Sequence, residues 1–168
     1  MPNLYIITGP AGVGKTTISK TLASQKEKSA LIEGDDIYNQ IIGGHISPWK
    51  EGNHLKIFWK ISLDMINTYL ENGFDVVFNY IITPDNLDMI KTKFGEYPIR
   101  FAILISDEET LLKRDNLRPI DCQMGTRCTV LLDSFKKNYA GFNHFIDTSN
   151  LSINEITDMI NKNEKYIL

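Results

Sequence analysis

Between the apolar run Leu4–Thr8 and the helical pattern that opens at Lys15, the chain reads Gly9-Pro10-Ala11-Gly12-Val13-Gly14-Lys15-Thr16. Gly9, Gly12 and Gly14 each weaken regular structure, so this segment needs backbone freedom or close approach to another group. The spacing satisfies G-x-x-x-x-G-K-[ST], a phosphate-binding loop. Its context is the required one, with a strand before it and an amphipathic helix, marked by Ile18 and Leu22, after it.

Such a loop binds anions for a simple reason. Glycines remove the side chains that would block a run of backbone N–H groups from curling round a phosphate. The positive end of the helix dipole adds to the attraction. Lys15 then reaches the terminal phosphates as a point charge, and the Thr16 hydroxyl ligates Mg²⁺. Gly9, Pro10, Ala11, Gly12, Val13, Gly14, Lys15, Thr16 and Thr17 are the expected nucleotide-binding residues.

Apolar, β-rich runs recur along the rest of the chain: Ala30–Glu33, Asp75–Tyr80, Ile99–Ile105 and Phe142–Asp147. Two of them ("DVVFNYII" and "IRFAILI") are continuously apolar, as when helices cover both faces of a parallel sheet. Helical patterns lie between them. Leu55, Trp59, Ile66 and Leu70 share one face; Leu87, Ile90 and Phe94 mark another helix; Ile153, Ile156 and Ile160 stripe the last, with a capping box from Ser152 to Glu155. The expectation is one α/β domain over residues 1–168, a five-stranded parallel sheet between two helix layers. Ligands in such sheets bind beyond the carboxyl ends of the strands.

Composition narrows the function. With 168 residues, 42% of them apolar and 23% charged, the chain suits one well-cored domain. A net charge of −3 provides no footprint for long nucleic acid. No apolar run approaches a membrane span, and no basic segment followed by an apolar one opens the sequence, so no membrane contact and a cytoplasmic location are expected. Cys122 and Cys128 are read as two reduced thiols. A GTPase would carry D-x-x-G, which is absent, and N-K-x-D, of which "NKNE" at the end of the last helix is a poor copy. Nor does an acid close the third strand, which ends in Asn79 and Tyr80.

After the second strand comes "LIEGDDIY". Strand, E-G-D-D and helix together resemble the D-x-D element of the gluconate kinase, shikimate kinase and adenylylsulfate kinase group, and the acidic turn of chloramphenicol phosphotransferase. The resemblance implies a three-layer P-loop NTPase fold of the nucleoside-monophosphate-kinase kind, closed by a lid. It places Glu33 and Asp35 on the two family acids: Asp35 accepts the proton of the substrate hydroxyl, and Thr16, Glu33 and Asp35 organise Mg²⁺, the acids through water. Phosphoryl transfer needs a carboxylate near the attacking oxygen in any case. Asp36 is then the residue expected to cap the next helix, although the two aspartates are able to exchange roles.

The stretch "LLKRDNLRPIDCQMGTRCTVLLDSF" after the fourth strand resembles the lid of these kinases, over about residues 117–128. By that resemblance Arg114 stacks near adenine, and Arg118 or Arg127 neutralises charge on the γ-phosphate. Gly125 and Pro119 are flexible and rigid points within it. The loop Thr148–Leu151 is expected to border the base. Arginine suits these tasks because it is planar, always charged and bidentate to phosphate.

The acceptor-binding segment falls at about residues 37–60. His45, Trp49 and His54 are candidate contacts, Phe58 and Trp59 are read as packing, and Asn79 and Tyr80 face the same crevice. The expectation is therefore an ATP- and Mg²⁺-dependent kinase for a hydroxyl of a small molecule: a sugar acid, a nucleoside or an antibiotic-like compound. The catalytic residues are Lys15, Asp35, Arg118 and Arg127; the substrate residues are Asp35, Trp49, Asn79 and Tyr80. The alternatives are a P-loop module that senses nucleotide without phosphoryl transfer, and a polynucleotide-end or nucleotide-sugar kinase. A monomer or homodimer is expected.

Overall fold

β1 (Leu4–Thr8) is buried at every residue, with β3 (Asp75–Asn79) hydrogen-bonded on one side and β4 (Ile99–Ile105) on the other. Five consecutive residues without exposure need partners on both edges and cover on both faces, the condition of a central strand in a parallel sheet. β2 (Ser29–Glu33) adds beyond β3, and β5 (Phe145–Asp147) beyond β4. All pairings are parallel and the order is β2-β3-β1-β4-β5. The structure is a computed structural model that describes residues 1–120 and 123–168.

Side-chain alternation divides the core in two. Leu4 and Ile6 point into one cluster with Phe58, Ile66, Leu87, Ile90 and Phe94, under α3 (His54–Glu71) and α4 (Pro84–Phe94). Tyr5 and Ile7 point into the other with Ile18, Leu22, Leu111, Ile156 and Ile160, under α1 (Lys15–Ser24), α5 (Glu108–Asn116) and α7 (Ile153–Lys162). α6 (Arg127–Asn138) gives Phe135 to the first core and Leu132 to the second, so it joins the two layers at one end. The five-stranded parallel sheet with helices on both faces is as the sequence predicts. Among the described residues no helix is long and apolar enough to cross a membrane.

Some boundaries differ from the sequence expectation. β3 stops at Asn79, and β5 begins only at Phe145 because Phe142 packs edge-on against Tyr139 instead of extending the strand. The buried stripe of α3 is Phe58, Ser62, Ile66 and Leu70, which leaves Leu55 and Trp59 at its rim. Helix α2 (Gly34–Tyr38) has Glu33 as its N-cap and no side-chain cap bond, so Asp36 is not the cap. The reason is that β2 runs straight into the helix, which puts Asp35 and Asp36 inside the first turn. The capping box at Ser152 and Glu155 is present.

The connection from β1 leads to β2 on one side, and that from the adjacent β3 leads to β4 on the other, so the winding reverses between β1 and β3. The crevice beyond the carboxyl end of β1 is where such sheets hold ligands. Residues Gly9–Thr16 occupy that place.

Candidate functional site

The loop after β1 takes its shape from close packing. Gly9 has φ 141°, and a Cβ there would lie 2.2 Å from the Leu104 carbonyl oxygen, so no side chain is possible. Gly12 and Gly14 also have positive φ, 80° and 98°, while Val13 is buried and anchors the bend. The first intrahelical bond of α1 runs from the Ile18 N–H to the Gly14 carbonyl, 3.0 Å. The amides of Gly14 to Thr17 therefore lack helical acceptors, and no side chain caps them. By contrast α4, α5 and α7 are capped by Thr83, Asp107 and Ser152. An uncapped helix start preceded by a glycine bend is a cradle for an anion. Lys15 arches back over it, its Nζ donating to the carbonyls of Gly9 (3.0 Å) and Pro10 (2.9 Å). Burial lowers its pKa to about 8, with nearby Asp35 opposing the shift and Arg118 adding to it.

Sheet register brings the acidic turn alongside. Glu33 is the direct partner of Asn79, and Asn79 that of Ile7. The Thr16 hydroxyl donates to Glu33 Oε2 at 3.2 Å and accepts from Asn79 Nδ2 at 3.4 Å, while Lys20 pairs with Glu33 Oε1 at 3.2 Å. A hydroxyl and a carboxylate in contact beside a phosphate cradle suit Mg²⁺, which keeps several waters and takes few protein ligands. Among the described residues no group of three or more His, Cys, Asp or Glu converges to form an all-protein metal cage. Glu33 thus stands beneath Thr16 from β2, while β3 contributes the neutral Asn79. Asp35 is exposed, its carboxylate makes no hydrogen bond with another described residue, and it faces the cavity beside the loop. Gly34 lets it do so: a Cβ at Gly34 would sit 2.5 Å from the Tyr80 ring.

Arg114 lies on α5, Arg118 just after its C-cap Leu117, and Arg127 opens α6. Arg114 donates to the Thr148 hydroxyl (2.9 Å) and carbonyl (3.0 Å), which ties α5 to the end of β5. Arg118 Nη1 donates to Asp115 at 3.3 Å. Arg127 lies over the Trp49 ring, its guanidinium carbon 3.6 Å from the centroid. Asp115 escaped the sequence reading. It is fully buried, and its Oδ2 accepts the N–H groups of Met124 and Gly125, both at 2.8 Å. Burial alone would raise its carboxyl, but the bonds from Gly125, Met124, Arg118 and Cys128 outweigh that and hold it low. The one available signal was its place next to Arg114, which carries no hint of bonds to backbone nine and ten residues later. Burial, then Asp115, pushes the Cys128 thiol up to about 11, so it stays protonated. Cys122 lies outside the described residues, as does part of the 117–128 segment.

A cavity of about 1260 Å³ joins these groups. Ala11 to Thr17, Asp35, Trp49, Asn79, Tyr80, Arg114, Arg118 and Arg127 all line it, together with Thr148 and Leu151. Gly9 and Pro10 form the bend behind it, and Glu33 stays under Thr16. His45 and His54 do not reach it; His45 instead packs edge-on against Tyr38. Trp59 packs on Phe58, Phe78 and Tyr80, as expected of a core residue, yet it also lines the cavity. Asn39, Thr83 and Asn86 line it too. Thr83 and Asn86 form a capping box, a motif whose structural role hides its second surface from sequence reasoning. Burial, with Asp35 and Tyr38 nearby, raises the Tyr80 phenol.

No family model and no curated protein matches the chain in sequence. Solved structures do match in fold. A tunicamycin resistance protein from Deinococcus radiodurans is 19% identical with a TM-score of 0.69, over 95% of this chain and 94% of that one. A gluconokinase from Sinorhizobium meliloti 1021 is 18% identical with a TM-score of 0.61, over 93% and 87%. A chain of the Pnkp1/Rnl/Hen1 RNA repair complex is 19% identical with a TM-score of 0.70 over 85% of this chain, which spans only 47% of that one's length. The chain has the fold of the P-loop small-molecule kinases.

Proposed function

We propose that this protein is a phosphotransferase that moves the γ-phosphate of ATP to a hydroxyl of a small molecule. The observation that carries it is the shared cavity: the uncapped amides of the phosphate loop and the unbonded carboxylate of Asp35 open onto the same space. The fold neighbours support it, since one is named a gluconokinase and another an antibiotic-resistance protein.

In this reading the amides from Gly12 to Thr17 bind the β- and γ-phosphates, and Lys15 leaves the Gly9 and Pro10 carbonyls to meet them. Arg114, fixed on Thr148, borders the base. Thr16 and Glu33 hold Mg²⁺, with Asn79 orienting the Thr16 hydroxyl. Bound there, the metal offsets charge on the transferring phosphoryl group. Asp35 positions the acceptor hydroxyl and takes its proton as the new O–P bond forms and ADP leaves. Arg118, after α5, and Arg127, at the start of α6, close as a lid that excludes water as a rival acceptor.

Calorimetric titration with ATP–Mg²⁺ tests the first half, with Lys15→Ala as the control that loses binding. Product detection over a panel of hydroxyl compounds tests the second. Asp35→Asn lowers turnover by about 10²–10⁴-fold with ATP affinity retained. Full turnover in that variant removes Asp35 as the base.

Asn79, where an acid would support the metal, favours a second reading: a module that binds ATP and transfers nothing. It predicts tight nucleotide binding without ADP formation for any acceptor. The RNA repair neighbour raises a polynucleotide-end kinase as a third, which the net charge of −3 disfavours. Salt-dependent binding of short oligonucleotides separates it.

A further inference from the structure

Arg114, Arg118 and Arg127 line one cavity, and partners of unequal strength hold them. Arg114 donates twice to Thr148, at 2.9 and 3.0 Å, and Arg118 pairs with the buried carboxylate of Asp115. The partner that the described residues give Arg127 is the face of the Trp49 ring, whose centroid lies 3.6 Å from the guanidinium carbon. Trp49 is 60% exposed, and a cation over an exposed ring is favoured there by only about two- to fivefold. A phosphate offers the same guanidinium a charge-assisted, bidentate bond, which is the stronger partner.

Both partners of the Trp49–Arg127 contact sit near glycines whose backbone has room to turn. Trp49 lies in the loop between α2 and α3, where Gly44 has φ 70° and open space around it. Arg127 follows Gly125 by two residues, and that glycine has φ 54° and equally open surroundings. Tyr38 holds the same loop to α2: its hydroxyl donates to the Ile46 carbonyl at 2.6 Å, and its ring meets His45 edge-on. Trp49 instead joins the loop across the cavity to α6, beside the phosphate loop.

Resting on the nucleotide half of the phosphotransferase reading above, we infer that Trp49 is a positioning residue that parks Arg127 away from the phosphates. When ATP binds, the guanidinium exchanges the ring face for a phosphate oxygen. The loop that carries Trp49 loses its tie to α6 in the same step, so nucleotide binding releases the acceptor side. Because the contact is made only before nucleotide arrives, it opposes ATP binding by about what it is worth.

The experiment measures binding of ATP–Mg²⁺ and of a non-hydrolysable ATP analogue to the full chain by calorimetry. Trp49→Ala, at an exposed position, tightens both about fourfold. Trp49→Phe keeps a weaker ring and falls between the two. In the Arg127→Ala background, itself a weaker binder, Trp49→Ala changes affinity by less than about 1.5-fold, since no contact is left to remove. A merely structural role for Trp49 would not vanish with Arg127. Trp49 and Trp59 are the chain's only tryptophans, so Trp59→Phe leaves Trp49 as the sole emitter. Its emission changes when the analogue is added, and Arg127→Ala abolishes that change.

Looser or unchanged ATP binding in Trp49→Ala overturns the inference. So does an affinity gain, or an emission change, that survives in Arg127→Ala. The two readings fail separately. Coupling between Trp49 and Arg127 with no ADP formed from any acceptor sinks phosphoryl transfer and leaves this role of Trp49 standing. ATP that binds and reacts, indifferent to Trp49, does the reverse. A chain that binds neither nucleotide sinks both.

Discussion

Gly34 and Tyr80 are packed so closely that a Cβ on the glycine would meet the tyrosine ring at 2.5 Å. The contact joins the acidic turn after β2 to the end of β3, and so fixes where Asp35 stands. Gly34→Ala forces the ring, 7% exposed and wedged on Phe58 at 4.3 Å, to move. The expected cost is about 1–3 kcal/mol, read by denaturant unfolding. Turnover falls more than ATP affinity does, and Tyr80→Leu in the same chain recovers part of the stability.

In the proposed function Lys15 makes nucleotide binding pH-dependent. Its pKa is depressed from 10.5 to about 8. A phosphate beside it favours the ammonium, so binding takes up a proton and ATP affinity declines as pH rises above about 8. Calorimetry in buffers of different ionisation enthalpy detects that uptake, and Lys15→Ala abolishes it. The sign for folding is opposite. Between about 8 and 10.5 the unfolded chain binds more protons at this position, so its contribution to stability grows with pH.

In the proposed function Glu33 supports Mg²⁺ through Thr16, whose hydroxyl donates to it at 3.2 Å. Glu33→Gln keeps the shape and removes the charge, and the Mg²⁺ concentration for half-maximal ADP formation rises about tenfold. ATP affinity without metal is unchanged. An unaltered Mg²⁺ requirement would take Glu33 out of the metal site.

Asp115 ties Arg118 to the Met124 and Gly125 backbone, and in the proposed function it thereby positions that arginine. Asp115→Ala strands the Met124 and Gly125 amides and frees Arg118, costing about 2–3 kcal/mol. Asp115→Asn retains one oxygen for the amides but loses the charge that holds Arg118. It restores most of the stability while kcat stays about tenfold low with ATP affinity intact, the split expected of a misplaced arginine. Because its carboxyl is held low, its stabilising effect is present above the unfolded pKa and is lost as pH falls through the folded one. Thermal melts of wild type and Asp115→Asn therefore converge in acid.

Continuous segments were legible in advance. The bend from Gly9 to Thr16 needs glycine at positions where the backbone turns left-handed or touches another carbonyl, and a helix directly after it. Residues within one short stretch meet all of those demands. The buried strands and the capping box at Ser152 arise from equally local patterns. Asp36 as a helix cap was a local inference that failed, since whether a loop residue or a strand residue precedes α2 depends on where β2 stops pairing with β3.

The order of strands and helices, the phosphate cradle and the candidate acid at Asp35 were determined by the sequence alone, because each depends on neighbours within about ten residues. Only the tertiary structure decided the rest. Glu33 meets Thr16 and Asn79 because of sheet register. Asp115 serves backbone from a later turn, and Trp49 lies under Arg127 from a different layer. Contacts between distant segments are set by how whole elements pack, and no single stretch of chain carries that geometry.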